Sequence, residues 1–342
     1  MDPRVIALLN ETGGLLLRPR LLDLGLSPGE IRRHLRQGAW TAVRRGVYTT
    51  AEHWEGLDPH VGRPRLQSRA VIATMRRDCV LSHESAAHEL GMGILAADPP
   101  LVHITRPGWT NAWTENGVRH HLAWFDPRSV VALNGVRALG RARTGVDIAR
   151  DSGVVRGVVA CDAALALGAT REQLWREVEP MANWPGVRAA RRAIELADAG
   201  AESPHESLGR LLLMEAGLTE IDTQFPVVTD RGLFWCDMRV GNLVIETDGR
   251  LKYRRQEAGG LALDPDQVIW DEKLRQRAIY ARGLVIARLV WEDYWGARRQ
   301  RAITALLNAY AESVQRSGST LLPDLATEAE TIRRRRPRRR PA

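Results

Sequence analysis

Phe234-Trp235-Cys236-Asp237-Met238-Arg239-Val240, then Gly241-Asn242, then Leu243-Val244-Ile245-Glu246-Thr247-Asp248: this stretch decides the fold of the C-terminal part. Two apolar-rich runs flank a Gly-Asn pair, the pattern of two strands joined by a tight hairpin turn. Side chains alternate along a strand, so Val244, Glu246 and Asp248 share one face and Leu243, Ile245 and Thr247 the other. Asp237 lies on the neighbouring strand, and pairing about the turn is expected to bring it within a diagonal step of Glu246. Crowded carboxylates repel one another, and a hard divalent cation relieves that by accepting oxygen ligands. Only two of the 49 basic residues are lysine, Lys252 and Lys273. An ammonium is a compact, strongly hydrated point charge that a guanidinium does not replace. Acids at a strand end with a lysine nearby are what metal-dependent phosphodiester hydrolysis requires.

Working outward, residues 202–313 read as one α/β unit. Ser203-Pro204-His205-Glu206 opens a helix with Ser as cap, Pro at the first helical position and Glu reaching back to the cap. A strand at Gln224 to Val228 and the turn Asp230-Arg231-Gly232 precede the hairpin. A helix over Pro265 to Arg282, an apolar strand over Leu284 to Val290 and a closing helix from Trp291 follow it. The order is helix, three-strand meander, helix, strand, helix.

These residues resemble the PD-(D/E)XK nuclease superfamily, nearest its very-short-patch-repair-like branch with an E-x-D-G signature. The resemblance covers about Glu202 to Trp295 and rests on Glu206, Asp237, Glu246-Thr247-Asp248-Gly249, Lys252-Tyr253 and Trp270-Asp271-Glu272-Lys273. It implies a restriction-endonuclease-like domain, a mixed central sheet flanked by helices, with Mg²⁺ or Mn²⁺ as cofactor. Asp237 and Glu246 become metal ligands, Glu206 a ligand or a support for one, and Asp248 a further ligand where the family pattern has lysine. The cationic role then falls to Lys252 or Lys273, while Tyr253 and Arg254 reach the DNA backbone.

Residues 1–53 read as a winged helix-turn-helix. Val5, Ile6, Leu8 and Leu9 make a first helix, Leu15 to Leu24 a second, and Ser27-Pro28-Gly29-Glu30 starts a third. That third helix turns Ile31 and Leu35 inward and Arg32, Arg33 and Arg36 outward. A hairpin over Trp40 to Tyr48 adds Arg44 and Arg45. An arginine-rich helix beside a basic hairpin suits a major groove or a protein partner. This segment resembles the winged helix of AbiEi-type antitoxins, and residues 69–200, a middle α/β region, their C-terminal region. Residues 54–68, with Pro59, Pro64, Gly56 and Gly62, read as a linker. His83, Glu84 and His88 lack the spacing of helical metal ligands. His120 and His121 point to opposite faces of a strand, so all are expected as packing or surface histidines.

The formal charge is +8, but residues 333–340 contain seven arginines, and the rest of the chain carries +1. Residues 314–342 are therefore expected to be a disordered basic tail that touches phosphates without specificity. Cys79, Cys161 and Cys236 show no paired spacing, which points to a reducing cytoplasm. No run of apolar residues reaches membrane-spanning length. The expectation is an α/β multi-domain DNA endonuclease, with DNA and a possible toxin or defence-system partner. The alternative is an AbiEi-like antitoxin or transcriptional regulator carrying a catalytically inactive nuclease fold.

Overall fold

The computed structural model describes residues 2–108, 111–248 and 265–335, the side chains of 248 and 265–269 excepted. It is a mixed α/β protein built around three sheets. The chain folds as two compact units, one holding Met1–Ala164 with Ala169–Leu196, the other Leu165–Gly168 with the residues from Ala197 onward.

The first unit begins with α1 (Pro3–Glu11), β1 (Leu16–Leu17), α2 (Arg18–Asp23), α3 (Pro28–Arg36), β2 (Trp40–Arg44) and β3 (Val47–Thr50). The predicted cap of α3 is present in both directions. Ser27 Oγ accepts from the Glu30 N–H at 3.2 Å, and the Ser27 N–H donates to Glu30 at 2.8 Å. Val5, Leu8, Leu16, Leu21, Ile31, Trp40 and Tyr48 close one small core. The helix expected from Leu15 begins only at Arg18, because Leu16 and Leu17 pair with Tyr48 and Val47 as a third strand. Leu15 and Leu16 are both buried there, one in each of two adjoining cores, which a single helical stripe would not achieve. The expected linker is largely helical, as α4 (Ala51–Gly56) and α5 (Gly62–Ile72). Leu66 and Ala70 of α5 pack with Leu15 and Val47, with Trp54 and Leu57 alongside. Its Pro and Gly residues fall at and between the helix starts, where they are tolerated.

The same unit continues with β4 (Val80–Leu81), α6 (His83–Glu89), β5 (Val102–Arg106), β6 (Asn111–Glu115), β7 (Val118–Leu122), β8 (Val130–Leu133) and β9 (Val136–Leu139). These strands form a six-stranded mixed sheet, order β6-β7-β5-β4-β9-β8, with β5–β7 and β4–β9 parallel. Next come α7 (Arg141–Ala166), broken at Gly153, α8 (Arg171–Val178) and α9 (Val187–Leu196).

The second unit has α10 (Pro204–Glu215), β10 (Asp222–Thr229), β11 (Gly232–Val240), β12 (Leu243–Asp248), α11 (Pro265–Ala281), β13 (Val285–Val290), α12 (Gly296–Ser317) and α13 (Pro323–Arg335). Its sheet runs β10-β11-β12-β13, antiparallel except for the parallel β12–β13 pair. Ile279 of α11 packs on the face carrying Phe225, Cys236 and Val244. The other face meets α10 at Gly209, where a Cβ would lie 2.8 Å from Met238, 3.3 Å from Thr247 and 3.4 Å from Leu289. The expected tail departs most from expectation. Residues 323–335 are a helix whose Leu325 and Ala329 are buried in the sheet core, and Arg333 pairs with Asp222 at 2.7 Å. An apolar stripe outweighs self-repulsion up to Arg335; residues 336–342 lie outside the described ones.

The hairpin turn is held from outside. Gly241 has a left-handed φ of 56°, and a Cβ there would come within 2.6 Å of the Ser319 carbonyl. Asn242 is fully buried: its amide donates to the Ser317, Gly318 and Thr320 carbonyls and its carbonyl accepts from the Leu322 N–H at 3.1 Å. Asn242→Ala leaves those groups buried and unmet, and is expected to cost about 2–4 kcal/mol in urea unfolding.

Candidate functional site

The β11–β12 pairing runs Val240↔Leu243, Arg239↔Val244 and Met238↔Ile245. Beyond that, an Asp237 side-chain oxygen accepts from the Thr247 N–H at 2.7 Å and from its hydroxyl at 2.6 Å. A carboxylate thus takes the place in the ladder that a main-chain carbonyl would hold. Cys236 packs among Phe225 and Val244, whereas Met238, two residues on, faces α10 on the opposite side. Side-chain alternation therefore breaks at Asp237. Its cross-strand neighbour region breaks too, since Gln224 adopts a left-handed φ of 54°. Such irregularities re-aim side chains. The expected diagonal meeting of Asp237 with Glu246 is replaced by the Asp237–Thr247 contact, because this kink swings the carboxylate toward the next residue along β12.

Glu206 arrives from α10. It caps the helix through Ser203, at 2.9 Å, and accepts from the Glu202 N–H at 3.0 Å and the Gln224 amide at 2.7 Å. The buried Tyr294 donates to the His205 carbonyl at 3.1 Å and so fixes that first turn. Burial pushes the Glu206 carboxyl above the usual range, and the negative charge of Asp237 adds to it against the pull of the Glu202 N–H.

Glu246 belongs to the α11 side of the sheet. Both its oxygens meet Arg275, one at 3.2 Å and the other closer. Arg275 also pairs with Glu272 at 3.0 Å, and Arg288 of β13 meets Glu272 in turn. Burial raises the Glu246 carboxyl; Arg275 pulls it down, and Asp237 and Glu272 push it up again. Glu206, Asp237 and Glu246 therefore feel one another's charge. They do not gather within 4.8 Å of one another as a three-oxygen set, because Glu206 and Glu246 approach from the two faces of the sheet.

Lys273 is exposed on α11. Glu272 and Arg275 are one helical turn apart and point to the sheet, while Lys273 is rotated about 100° away. Among the described residues the cation set beside Glu246 is Arg275, where the sequence had suggested a lysine. Asp248 ends β12 opposite Val290. Lys252, Tyr253 and Arg254 lie outside the described residues. In the first unit, Arg32, Arg33, Arg36 and Arg45 are exposed. Arg44 is half-buried, and its Nη1 is enclosed without a hydrogen-bond partner.

One group was missed by sequence spacing. His83, His103 and His121, from α6, β5 and β7, bring a ligand nitrogen each within 4.8 Å of one another and are all buried. His103 and His121 were separable in principle: on parallel strands, His103 opposes Arg119 and Thr105 opposes His121, which puts both histidines on one face. His120 turns away and stacks on Trp113.

No family model matches the chain. Two proteins described as uncharacterized are similar to it, MT2308 of Mycobacterium tuberculosis strain CDC 1551 / Oshkosh and Rv2248 of Mycobacterium tuberculosis strain ATCC 25618 / H37Rv. Each is 32% identical over 104 residues, which is 30% of this chain and 38% of the relative. The chain thus spans well under half the length of the curated relatives it matches.

A raised carboxyl favours the fold below its unfolded pKa of about 4.3, and that advantage is lost as pH rises through the folded value. Arg275→Ala removes the cation that offsets this for Glu246. The variant is expected to lose about 3 kcal/mol at pH 8 and clearly less at pH 5, read by urea unfolding at both.

Proposed function

We propose that the second unit hydrolyses phosphodiester bonds in DNA with the aid of Mg²⁺ or Mn²⁺, and that the arginine-lined helix of the first unit docks the nucleic acid. The carrying observation is the electrostatically coupled carboxylate group of Glu206, Asp237 and Glu246, built around a kinked strand. The group sits in a mixed sheet packed by helices, the kind of domain that the PD-(D/E)XK resemblance implies. The donors are all oxygen; burial raises two of them and the charge of Asp237 adds to it, a conflict that a hard cation answers. Asp237 and Glu246 would hold the ion. When bound, it supplies charge neutralisation at the scissile phosphate and acidifies a water for in-line attack.

The chain's own groups have definite tasks in this reading. Thr247 fixes the rotamer of Asp237 through two short hydrogen bonds. Arg275 pulls the Glu246 carboxyl down against its burial, and Glu272, itself paired with Arg288, in turn holds Arg275. Three donors anchor Glu206, whose carboxyl feels the charge of Asp237. In the first unit, Arg32, Arg33, Arg36 and Arg45 present exposed guanidiniums suited to phosphates.

One observation favours the regulator reading, in which the fold binds DNA without cutting it. Both oxygens of Glu246 are already occupied by Arg275. Catalysis then requires that pair to open or to share Glu246 with the ion.

Incubation of supercoiled plasmid with Mg²⁺ or Mn²⁺ separates the two. Hydrolysis predicts nicking by the wild type that Asp237→Ala and Glu246→Ala each reduce by at least about 100-fold. It also predicts a Mg²⁺-dependent rise in Tm that both variants lack. DNA retention in gel shifts without nicking, unchanged by EDTA, would establish the regulator instead.

A further inference from the structure

We propose that His83, His103 and His121 form a binding site for a divalent transition-metal ion of the zinc or cobalt class, in the first unit and separate from the carboxylate group.

The three rings come from three elements. His83 is the first residue of α6, with a left-handed φ of 49°. His103 and His121 sit on the parallel strands β5 and β7. The rings of His83 and His121 stack with centroids 4.0 Å apart and an interplanar angle of 16°. His103 Nδ1 and His121 Nε2 are 3.0 Å apart. Two imidazole nitrogens bound to one tetrahedral zinc are separated by roughly 3.3 Å, given bonds of about 2.05 Å. The pair is therefore close to the spacing that a shared ion sets.

Two of the outer nitrogens lie beside polar groups of the kind found around bound metals; the Ser82 contact is a hydrogen bond, and Glu84 Oε2 is a buried carboxylate oxygen with no hydrogen-bond partner. His103 Nε2 faces the Glu84 carboxylate at 3.4 Å, and His83 Nδ1 faces the Ser82 hydroxyl at 3.0 Å. A carboxylate or hydroxyl on the far nitrogen fixes the tautomer and leaves the near nitrogen free to donate its lone pair. Ser85 ties the strand to the helix by accepting from the His103 N–H at 2.9 Å.

A hydrogen bond between His103 and His121 would account for that pair alone. It leaves His83 Nε2, on a residue 1% exposed, buried with no hydrogen-bond partner. Burying such a group unmet costs about 1–3 kcal/mol, and a metal ion satisfies all three nitrogens at once. Desolvation keeps the rings in the neutral, donating form, and the two neighbouring histidines reinforce it for His83. The charges around the trio oppose one another: Arg119, Arg143 and Arg150 against Glu84, Asp147 and Asp151. Three imidazoles select zinc, cobalt, nickel or copper over magnesium and calcium, which want oxygen. The bound ion would clamp α6 onto β5 and β7, so its affinity adds to stability.

The test uses the full chain, stripped with a chelator and titrated with Co²⁺ and then Zn²⁺. The expected results are visible d–d absorption from Co²⁺ at one ion per chain, its displacement by Zn²⁺, and a Tm raised by Zn²⁺. Mg²⁺ should neither give the absorption nor displace Co²⁺. His83→Gln and His121→Gln should abolish uptake, and Glu84→Gln, which alters a positioning group, should weaken it about tenfold. His88→Ala is the control that keeps the site. Should both glutamine variants fail to fold, the wild-type titration decides. No absorption and no Tm change in the wild type overturns the proposal, as does uptake that survives in folded His83→Gln and His121→Gln. Because Asp237→Ala should leave Co²⁺ uptake intact, this outcome is independent of the nuclease reading.

Discussion

The second unit is organised by a carboxylate that does a backbone's work. Where β11 and β12 would exchange another main-chain hydrogen bond, Asp237 accepts from Thr247 instead. That substitution lets one strand serve two faces, with Cys236 turned to the α11 side and Met238 to the α10 side. The close approach of α10 at Gly209 carries Glu206 to the same place from one side. Arg275 steadies Glu246 on the other. Without the kink, strict alternation would send Asp237 to a single layer, and the two glutamates would have no common neighbour.

Asn242 supplies the complementary restraint. A hairpin with an irregular strand is prone to slip in register. Here the turn is bolted by the buried amide to the segment that follows α12, which fixes the start of the ladder while Asp237 fixes its end. The register is thereby pinned at both limits.

Much of this was legible in the residues. The Ser27–Glu30 and Ser203–Glu206 caps, the Gly241-Asn242 turn and the strand-helix order are local signals, and local signals survive translation into structure. What failed to show was non-local. Leu15 to Leu17 have helical propensity, yet pairing with Val47 and Tyr48 prevails. Pro and Gly between residues 54 and 68 mark helix starts as readily as a linker. Lys273 is exposed on α11, where the facing turn presents Arg275 to Glu246, and Lys252 lies outside the described residues. The histidine trio was hidden because its members stand 20 and 18 positions apart on three elements; the parallel β5–β7 register unites His103 and His121, and the start of α6 brings His83 to them.

The helix α13 changes how the chain's end should be handled. It looks from composition like a dispensable basic extension, yet Leu325 and Ala329 roof the layer formed by Phe225, Val227 and Val244. Trimming the protein after α12 to obtain a tidier sample would lift that roof. The uncovered apolar floor beside the β10 edge would then be an invitation to self-association, so a loss of solubility after such trimming would report on packing and say nothing about nucleic-acid affinity.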